Sequence, residues 1–493
     1  LRSSSILAGA QGVNLLVGLL RNKCVAILLG PTGLGLIGLY SSAVGLVGCL
    51  SSLGISQSGV RDVAAAAASD NPERVARTVT ILRRVVWISG LLGWILTAAL
   101  SWPLSLWCFG DTKHLASIAV VGATLLIGGI SAGQTSLLQG FRRIGDIARL
   151  QVAGAVGSTA VSLGFYAWLG ERGIVPAFLA SAILNLGVSF WFVRRVGIVS
   201  VPLSWGETFA GAKNLISLGF AFMWSGLLSA AVALIIQSLV RDHSGIAGNG
   251  LYQAAWSISG VFAGFILGAM GTDFYPRLTA AASDHATMNR LVNEQTEVGI
   301  LLALPGLIGT LCFSPWVIQI LYTAEFKTAS ELLPWFILGI FGRVISWPMG
   351  FVQMAKGAGR WFIATESVFA TIQVLLAWAG LRWLGLPGIA ISFAILYLLY
   401  TFGMLWVTNQ LSEFRWSNSV VKLLLAALSA VALTFALART LPDRSIALAV
   451  AGMCLTAISG VLCLRQISRR LGNDHRVARL LSSLPGIGTF MKG

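Results

Sequence analysis

Apolar runs of about twenty residues recur from one end of this chain to the other, the length an α-helix needs to cross a bilayer. Hydropathy windows place about fourteen of them, over 6–29, 36–55, 85–108, 116–139, 150–169, 174–192, 213–240, 250–271, 297–321, 331–355, 361–382, 385–409, 420–438 and 445–464. Hydrophobic residues make up 56% of the 493 positions and charged residues only 11%, so the fold class is an all-α polytopic membrane protein with about 14 transmembrane helices. No segment between spans is long enough to bury a core of its own, which excludes a soluble catalytic domain. The sequence opens on Leu1 and not on Met, so the numbering is expected to begin after a trimmed end. No small-residue cleavage site follows the first span, which is expected to be retained.

A net charge of +16 could point to nucleic acid, but most Lys and Arg lie in short connections between spans, where they set orientation. The second, fourth and sixth connections carry Arg61, Arg74, Arg77, Arg83 and Arg84, then Arg142, Arg143 and Arg149, then Arg194, Arg195 and Lys213. The tail adds Arg465, Arg469, Arg470, Arg476 and Arg479. The odd connections carry few, so both termini are predicted to be cytoplasmic and no nucleic-acid partner is expected. The six cysteines sit in apolar stretches without a CxxC pair. The four histidines, His114, His243, His285 and His475, read as solvated loop or tail residues, and neither metal nor cofactor is expected.

The first span breaks the apolar rule. Gln11, Asn14, Gly18 and Arg21 fall on one helical stripe. An Arg in mid-span costs about 2.5–3.5 kcal/mol, so the stripe must face a bundle interior or a water-filled cavity. Lys23 lies about 200° from Arg21 around the helix and admits two readings, cavity lining or snorkelling to the interface. The tenth span repeats the stripe with Arg343, Ser346, Gly350 and Gln353, and carries Trp347-Pro348 inside the helix. Glu366 is the one carboxylate placed within a span; it reads as an ion-pair partner for Arg343 or a coupling group. Three cations against one carboxylate suit a diphosphate, which Arg can hold with a planar fork and Lys as a point charge. Arg61 with Asp62, and Arg277 with Asp273, read as topological charge or as a cytoplasmic gate. The run Asn293 to Glu297 reads as the polar first turn of the ninth span.

The halves repeat in a common order. Gly30-Pro31-Thr32-Gly33 precedes Gly38-Leu39-Tyr40, while Gly245 to Gly248 precede Gly250-Leu251-Tyr252. Gly54, Arg61 and Ala64 to Ala68 follow in one half, and Gly271, Arg277 and Ala280 to Ala282 in the other. The order suggests two pseudo-symmetric six-helix bundles, 1–198 and 199–412, around a central cavity, then two additional helices over 413–464 and a basic cytoplasmic tail over 465–493.

Several stretches resemble the polysaccharide-transport branch of the multidrug/oligosaccharidyl-lipid/polysaccharide (MOP) exporter superfamily, and specifically Wzx-type O-antigen flippases. They are Lys23 with Leu28 to Gly35, Leu138 to Arg142, Gly250 to Ala254, Tyr275 to Leu278, Asn293 to Glu297, and Trp335 to Gly339 followed by Arg343, Ala355-Lys356 and Glu366. The resemblance implies a transporter, not an enzyme, working by alternating access in a bacterial inner membrane. Its expected cargo is a polyprenyl-pyrophosphate-linked oligosaccharide, with membrane lipids around it and polysaccharide polymerase and chain-length machinery as partners. Arg21 and Lys23 match basic first-helix positions that related lipid-linked peptidoglycan-precursor flippases place in the cavity. The alternatives are a lipid II flippase or multidrug exporter of the same superfamily, a membrane polymerase or ligase, and a structural scaffold. Short odd connections without His, Asp and Glu clusters argue against the enzyme, and buried cation stripes against the scaffold. Trp224, Trp256 and Trp347 are candidates for sugar stacking, with packing as the alternative.

Overall fold

The computed structural model describes residues 2–52, 55–69, 71–197, 201–440 and 446–471. Gly54, His475 and the tail from 472 onward lie outside the described residues, as do the side chains of Lys213, Asp273, Arg469 and Arg470. The described residues form helices joined by short turns: α1 (Arg2–Ser52), α2 (Ile55–Ala67), α3 (Pro72–Ala99), α4 (Ser101–Phe109), α5 (Leu115–Gly140), α6 (Ile144–Leu169), α7 (Ile174–Arg194), α8 (Trp205–Ala280), α9 (His285–Leu321), α10 (Ala329–Ala355), α11 (Gly359–Leu384), α12 (Leu386–Ser412), α13 (Asn418–Thr440) and α14 (Ile446–Leu471).

Among the described residues, eleven apolar helical stretches are long enough to cross a membrane. Three of them, of 44, 51 and 46 residues, exceed one crossing, and each contains a break. Gly30 interrupts α1 (φ 61°, ψ −166°), Gly245 interrupts α8 (φ 73°, ψ −180°), and a 3₁₀ turn over Gly170–Gly173 separates α6 from α7. Read as two crossings each, these stretches make the fourteen expected. Positive φ is open to glycine without a Cβ clash, and Pro31 after Gly30 has no N–H to lose at the start of the next helical segment. Gly30 and Gly245 thus share one backbone conformation, which sets Gly35 and not Gly38 opposite Gly250 and shifts the expected repeat by three residues.

The chain gathers into two compact units, Leu1–Gln253 with Leu321–Glu325, and Ala254–Ile320 with Phe326–Gly493. In the first unit, α3 packs on α5, and α6 on both α1 and α7. One of its cores joins Leu36, Leu39, Tyr40, Cys108, Phe109, Ile118 and Tyr166. The segments after the two glycine breaks cross there without room for side chains. A Cβ on Gly35 would collide with the Ile246 carbonyl, and one on Gly250 with the Pro31 carbonyl. Polar groups fasten the crossing: Asn249 Nδ2 donates to the Gly35 carbonyl at 3.0 Å, and Gln237 Nε2 to Ser42 Oγ at 2.6 Å.

In the second unit, α12 packs against α10 and α11. The connection between α12 and α13 is clasped from α9 by two asparagines one turn apart. Asn289 Nδ2 donates to the Ser412 carbonyl (2.8 Å) while its Oδ1 accepts from Ser412 Oγ (2.9 Å). Asn293 Nδ2 donates to the Arg415 carbonyl (3.2 Å) and its Oδ1 accepts from Ser417 N–H (2.8 Å). Lys356 Nζ donates to the Leu411 carbonyl at 2.6 Å, as suits a cation at a helix C-terminus. The run Asn293 to Glu297 is thus not a first turn. α9 begins at His285, eight residues earlier, because Asp284 accepts from the N–H groups of Ala286 and Thr287 there.

Candidate functional site

Arg21 and Lys23 are half-buried on the segment of α1 before Gly30. Arg21 acts electrostatically on Tyr166 of α6, itself 3% exposed. Lys23 Nζ donates to the backbone carbonyl of Tyr322, whose side chain is fully buried. Both cations therefore turn into the first unit. Asn14, two turns before Arg21, is half-buried, and its Oδ1 is shielded from solvent with no hydrogen-bond partner among the described residues. An acceptor left in that condition costs about 1–3 kcal/mol, which a donor on a bound molecule would recover.

The stripe of α10 packs into the second unit. Ser346 is fully buried and Gln353 is 1% exposed. Gln353 Oε1 accepts from Thr365 Oγ1 of α11 at 3.1 Å, and its Nε2 approaches Met404 Sδ of α12 at 3.5 Å. Arg343 is half-buried with its guanidinium 6.0 Å from the ring centre of Tyr397 on α12. Arg343 and Glu366 both act electrostatically on Tyr397 and Tyr400, whose rings are 5.7 Å apart. The four side chains form one polar cluster inside an apolar unit, which no single residue of it could sustain in hydrocarbon.

The remaining candidates are placed differently. Arg61 bonds its own neighbour Asp62 at 3.0 Å on an exposed surface, with the two side chains 58% and 28% exposed. Arg277 is exposed and engaged with other groups. Trp256 meets Phe336 and Phe393 edge-on at 5.5 and 5.1 Å, and Trp347 leans on Phe351 at 4.4 Å, so both act in aromatic packing. Trp224 is half-buried.

Two histidines depart from the solvated-loop expectation. His114 Nδ1 lies 2.7 Å from Tyr40 Oη and its ring stacks on Phe109 at 4.0 Å, because the turn between α4 and α5 folds back on α1. Burial holds its imidazole below the ordinary value; Asp111 opposes this and Lys113 reinforces it. His285 Nε2 lies 2.6 Å from Lys356 Nζ. The sequence reading missed Tyr166, Tyr322, Tyr397 and Tyr400, and also Glu297, a second carboxylate within an apolar helix, 3% exposed. Its signal was present as the second acidic residue of the Asn293 to Glu297 run. Tyr397 and Tyr400 were marked by their three-residue spacing in an otherwise apolar span.

Helices long enough to span a bilayer, two of them broken at glycines, define a multi-pass membrane protein, and comparison with known proteins gives a fold of that class. The fold matches an inward-facing multidrug resistance MATE family transporter of the MOP superfamily (TM-score 0.69, 16% identity, 81% of this chain and 95% of that one). It also matches the lipid II flippase MurJ in an inward closed conformation (TM-score 0.68, 12% identity), over 94% of this chain and 99% of that one. The latter share is large enough to take in part of the C-terminal helix pair. In sequence, the chain is similar to the lipid III flippase of Escherichia coli (strain K12), 24% identical over 384 residues, which are 75% of this chain and 89% of the relative.

The chain belongs to the polysaccharide biosynthesis protein family, whose model matches residues 24–331. Its fold is the one shared by the MOP-superfamily transporters it matches.

Proposed function

We propose that this protein flips a polyprenyl (undecaprenyl)-pyrophosphate-linked oligosaccharide repeat unit, of O-antigen or a related surface polysaccharide, from the cytoplasmic to the periplasmic leaflet of a bacterial inner membrane. The observation that carries the reading is Arg21, a half-buried guanidinium on a membrane helix whose charge acts on the buried Tyr166. A diphosphate with sugars attached cannot enter hydrocarbon unaided, because its charges and hydroxyls would lose hydration without replacement. Arg21, Lys23 and Asn14 in one bundle and Arg343 in the other supply charge and hydrogen bonds in its place, while the polyprenyl tail stays in lipid. Gln353 supports α11 through Thr365. The bundles 1–198 and 199–412 rock to alternate access, with both termini cytoplasmic and Arg61, Asp62, Asp273 and Arg277 at the cytoplasmic gate. Polymerase and chain-length proteins receive the product on the far side. Glu366 is the coupling group if a proton gradient drives the cycle.

A second reading, a flippase for a lipid III or lipid II type of precursor, is favoured by the relatives' own cargoes. Both readings use the same cations and differ in the sugars. The test is leaflet accessibility of a purified polyprenyl-pyrophosphate oligosaccharide in proteoliposomes, with parent, Arg21→Ala and Arg343→Ala inserted in equal amount. Parental flipping that both variants lose is the expected result. Equal rates in all three would end the cationic-site reading. Transport of lipid III or lipid II but not of the O-unit lipid would select the second reading.

A further inference from the structure

The end of the first unit where α3 begins and α7 ends holds a feature that cargo handling does not use. A cleft of about 520 Å3 is walled by Arg83, Phe190, Trp191, Val193, Arg194 and Gly197. A second recess of about 200 Å3 shares Arg83 and Phe190 with it and reaches inward to Gln134 of α5. Other cations at this end are engaged: Arg77 pairs with Glu207 at 2.5 Å, Arg84 donates to the Leu203 carbonyl and Thr208 Oγ1, and Arg195 covers the Trp191 ring at 3.6 Å. Arg83 and Arg194 are exposed and have no carboxylate partner among the described residues.

The surroundings of these two arginines are a membrane surface. Trp87, one turn after Arg83, is 53% exposed, and Phe190 and Trp191, one turn before Arg194, are 51% and 56% exposed. Exposed apolar side chains continue along α3 through Ile88, Leu91 and Ile95. Each helix thus passes from an apolar strip through aromatic residues to an arginine, the order expected where acyl chains give way to headgroups. Between them, Gln134 is 5% exposed and lines the recess, and its Oε1 is shielded from solvent with no hydrogen-bond partner among the described residues. A buried acceptor of this kind calls for a donor.

We infer that this cleft binds an anionic membrane lipid whose phosphate carries a hydroxylated headgroup, of the glycerol phosphate kind. The Arg83 and Arg194 guanidiniums take the phosphate oxygens, a headgroup hydroxyl donates to Gln134 Oε1, and the first acyl carbons lie on Phe190 and Trp191. On the charge-derived topology this is the cytoplasmic leaflet. A zwitterionic lipid would bring an ammonium against two guanidiniums, and a free phosphate would leave the aromatic wall and Gln134 without a role.

The test is native mass spectrometry of the full chain released from detergent with phosphatidylglycerol, phosphatidylcholine or phosphatidic acid. The parent is expected to retain phosphatidylglycerol in preference to the other two. Arg83→Gln with Arg194→Gln should weaken its retention about a hundredfold, the worth of two charge-assisted hydrogen bonds, while Arg149→Gln, at an exposed arginine elsewhere, leaves it unchanged. Equal retention by the double variant and the parent would overturn the assignment. So would displacement of the lipid by excess soluble glycerol phosphate, which would make the cleft a site for free phosphates. If the double variant does not insert, Gln134→Leu keeps every topology-setting charge: it should lose the preference for phosphatidylglycerol over phosphatidic acid, and an unchanged preference refutes the proposal.

Discussion

Gly250→Ala is the most demanding test of the crossing between the two broken helices. The added methyl would overlap the Pro31 carbonyl, and the backbone cannot give way as a flexible side chain would. Relief requires the segment after Gly30 to move away from α8 on both sides of Gly245, which stretches the Asn249 bond to the Gly35 carbonyl (3.0 Å) and the Gln237 bond to Ser42 (2.6 Å). Overpacking of this kind costs about 1–3 kcal/mol. The two hydrogen bonds add about 0.6 kcal/mol each at the values found within membranes. Alanine's helix preference over glycine returns about 1 kcal/mol, leaving a net loss of roughly 1–3 kcal/mol. Gly260→Ala is the control, since nothing lies within 4 Å of a Cβ built there. Reversible unfolding in sodium dodecyl sulfate titrations, with parent and both variants in the same lipid-detergent mixture, reads the difference. If Gly250→Ala unfolds at the parental midpoint, or Gly260→Ala loses as much, the crossing is not sterically locked.

His114 should make stability depend on pH. Its imidazole is held below the ordinary value in the folded protein, so the unfolded chain binds the extra proton first, and stability falls as pH drops through about 6.5 toward the folded value. His114→Phe should flatten that slope between pH 7.5 and 5.5, and a slope equal to the parent's would rule the group out. Asn293→Ala removes both bonds to the connection before α13 and should cost about 1–2 kcal/mol, with faster proteolysis at that connection; an unchanged cleavage rate would contradict the clasp. Glu366→Gln should abolish dependence of flipping on a proton gradient, and unchanged dependence would remove Glu366 from coupling.

Much of the architecture was legible because hydrocarbon leaves the chain so few options. Runs of twenty apolar residues could become little other than helices, and the Gly-rich stretches opening at Gly30 and Gly245 marked the breaks where glycine suits the backbone. The enclosed cations were legible for the same reason, since Arg21 and Arg343 stand out against their own spans. Their partners were not. Lys23 meets the Tyr322 carbonyl across 299 positions of sequence, and Tyr166 comes to Arg21 only through the packing of α1 on α6. The His114 contact and the Asn289 and Asn293 clasp were likewise invisible, because each joins a local polar residue to backbone or rings from a distant helix.

The asparagine clasp bears on how the C-terminal helix pair is to be studied. Both amides spend their hydrogen bonds on Ser412, Arg415 and Ser417, which precede α13. A truncation ending at 411 would strip partners from α9 and unsettle the second unit as well as removing two helices. A stop codon placed after Ser417 removes α13 and α14 while leaving the clasp whole, and only that truncation would separate what the last two helices contribute to transport from what their tether contributes to folding.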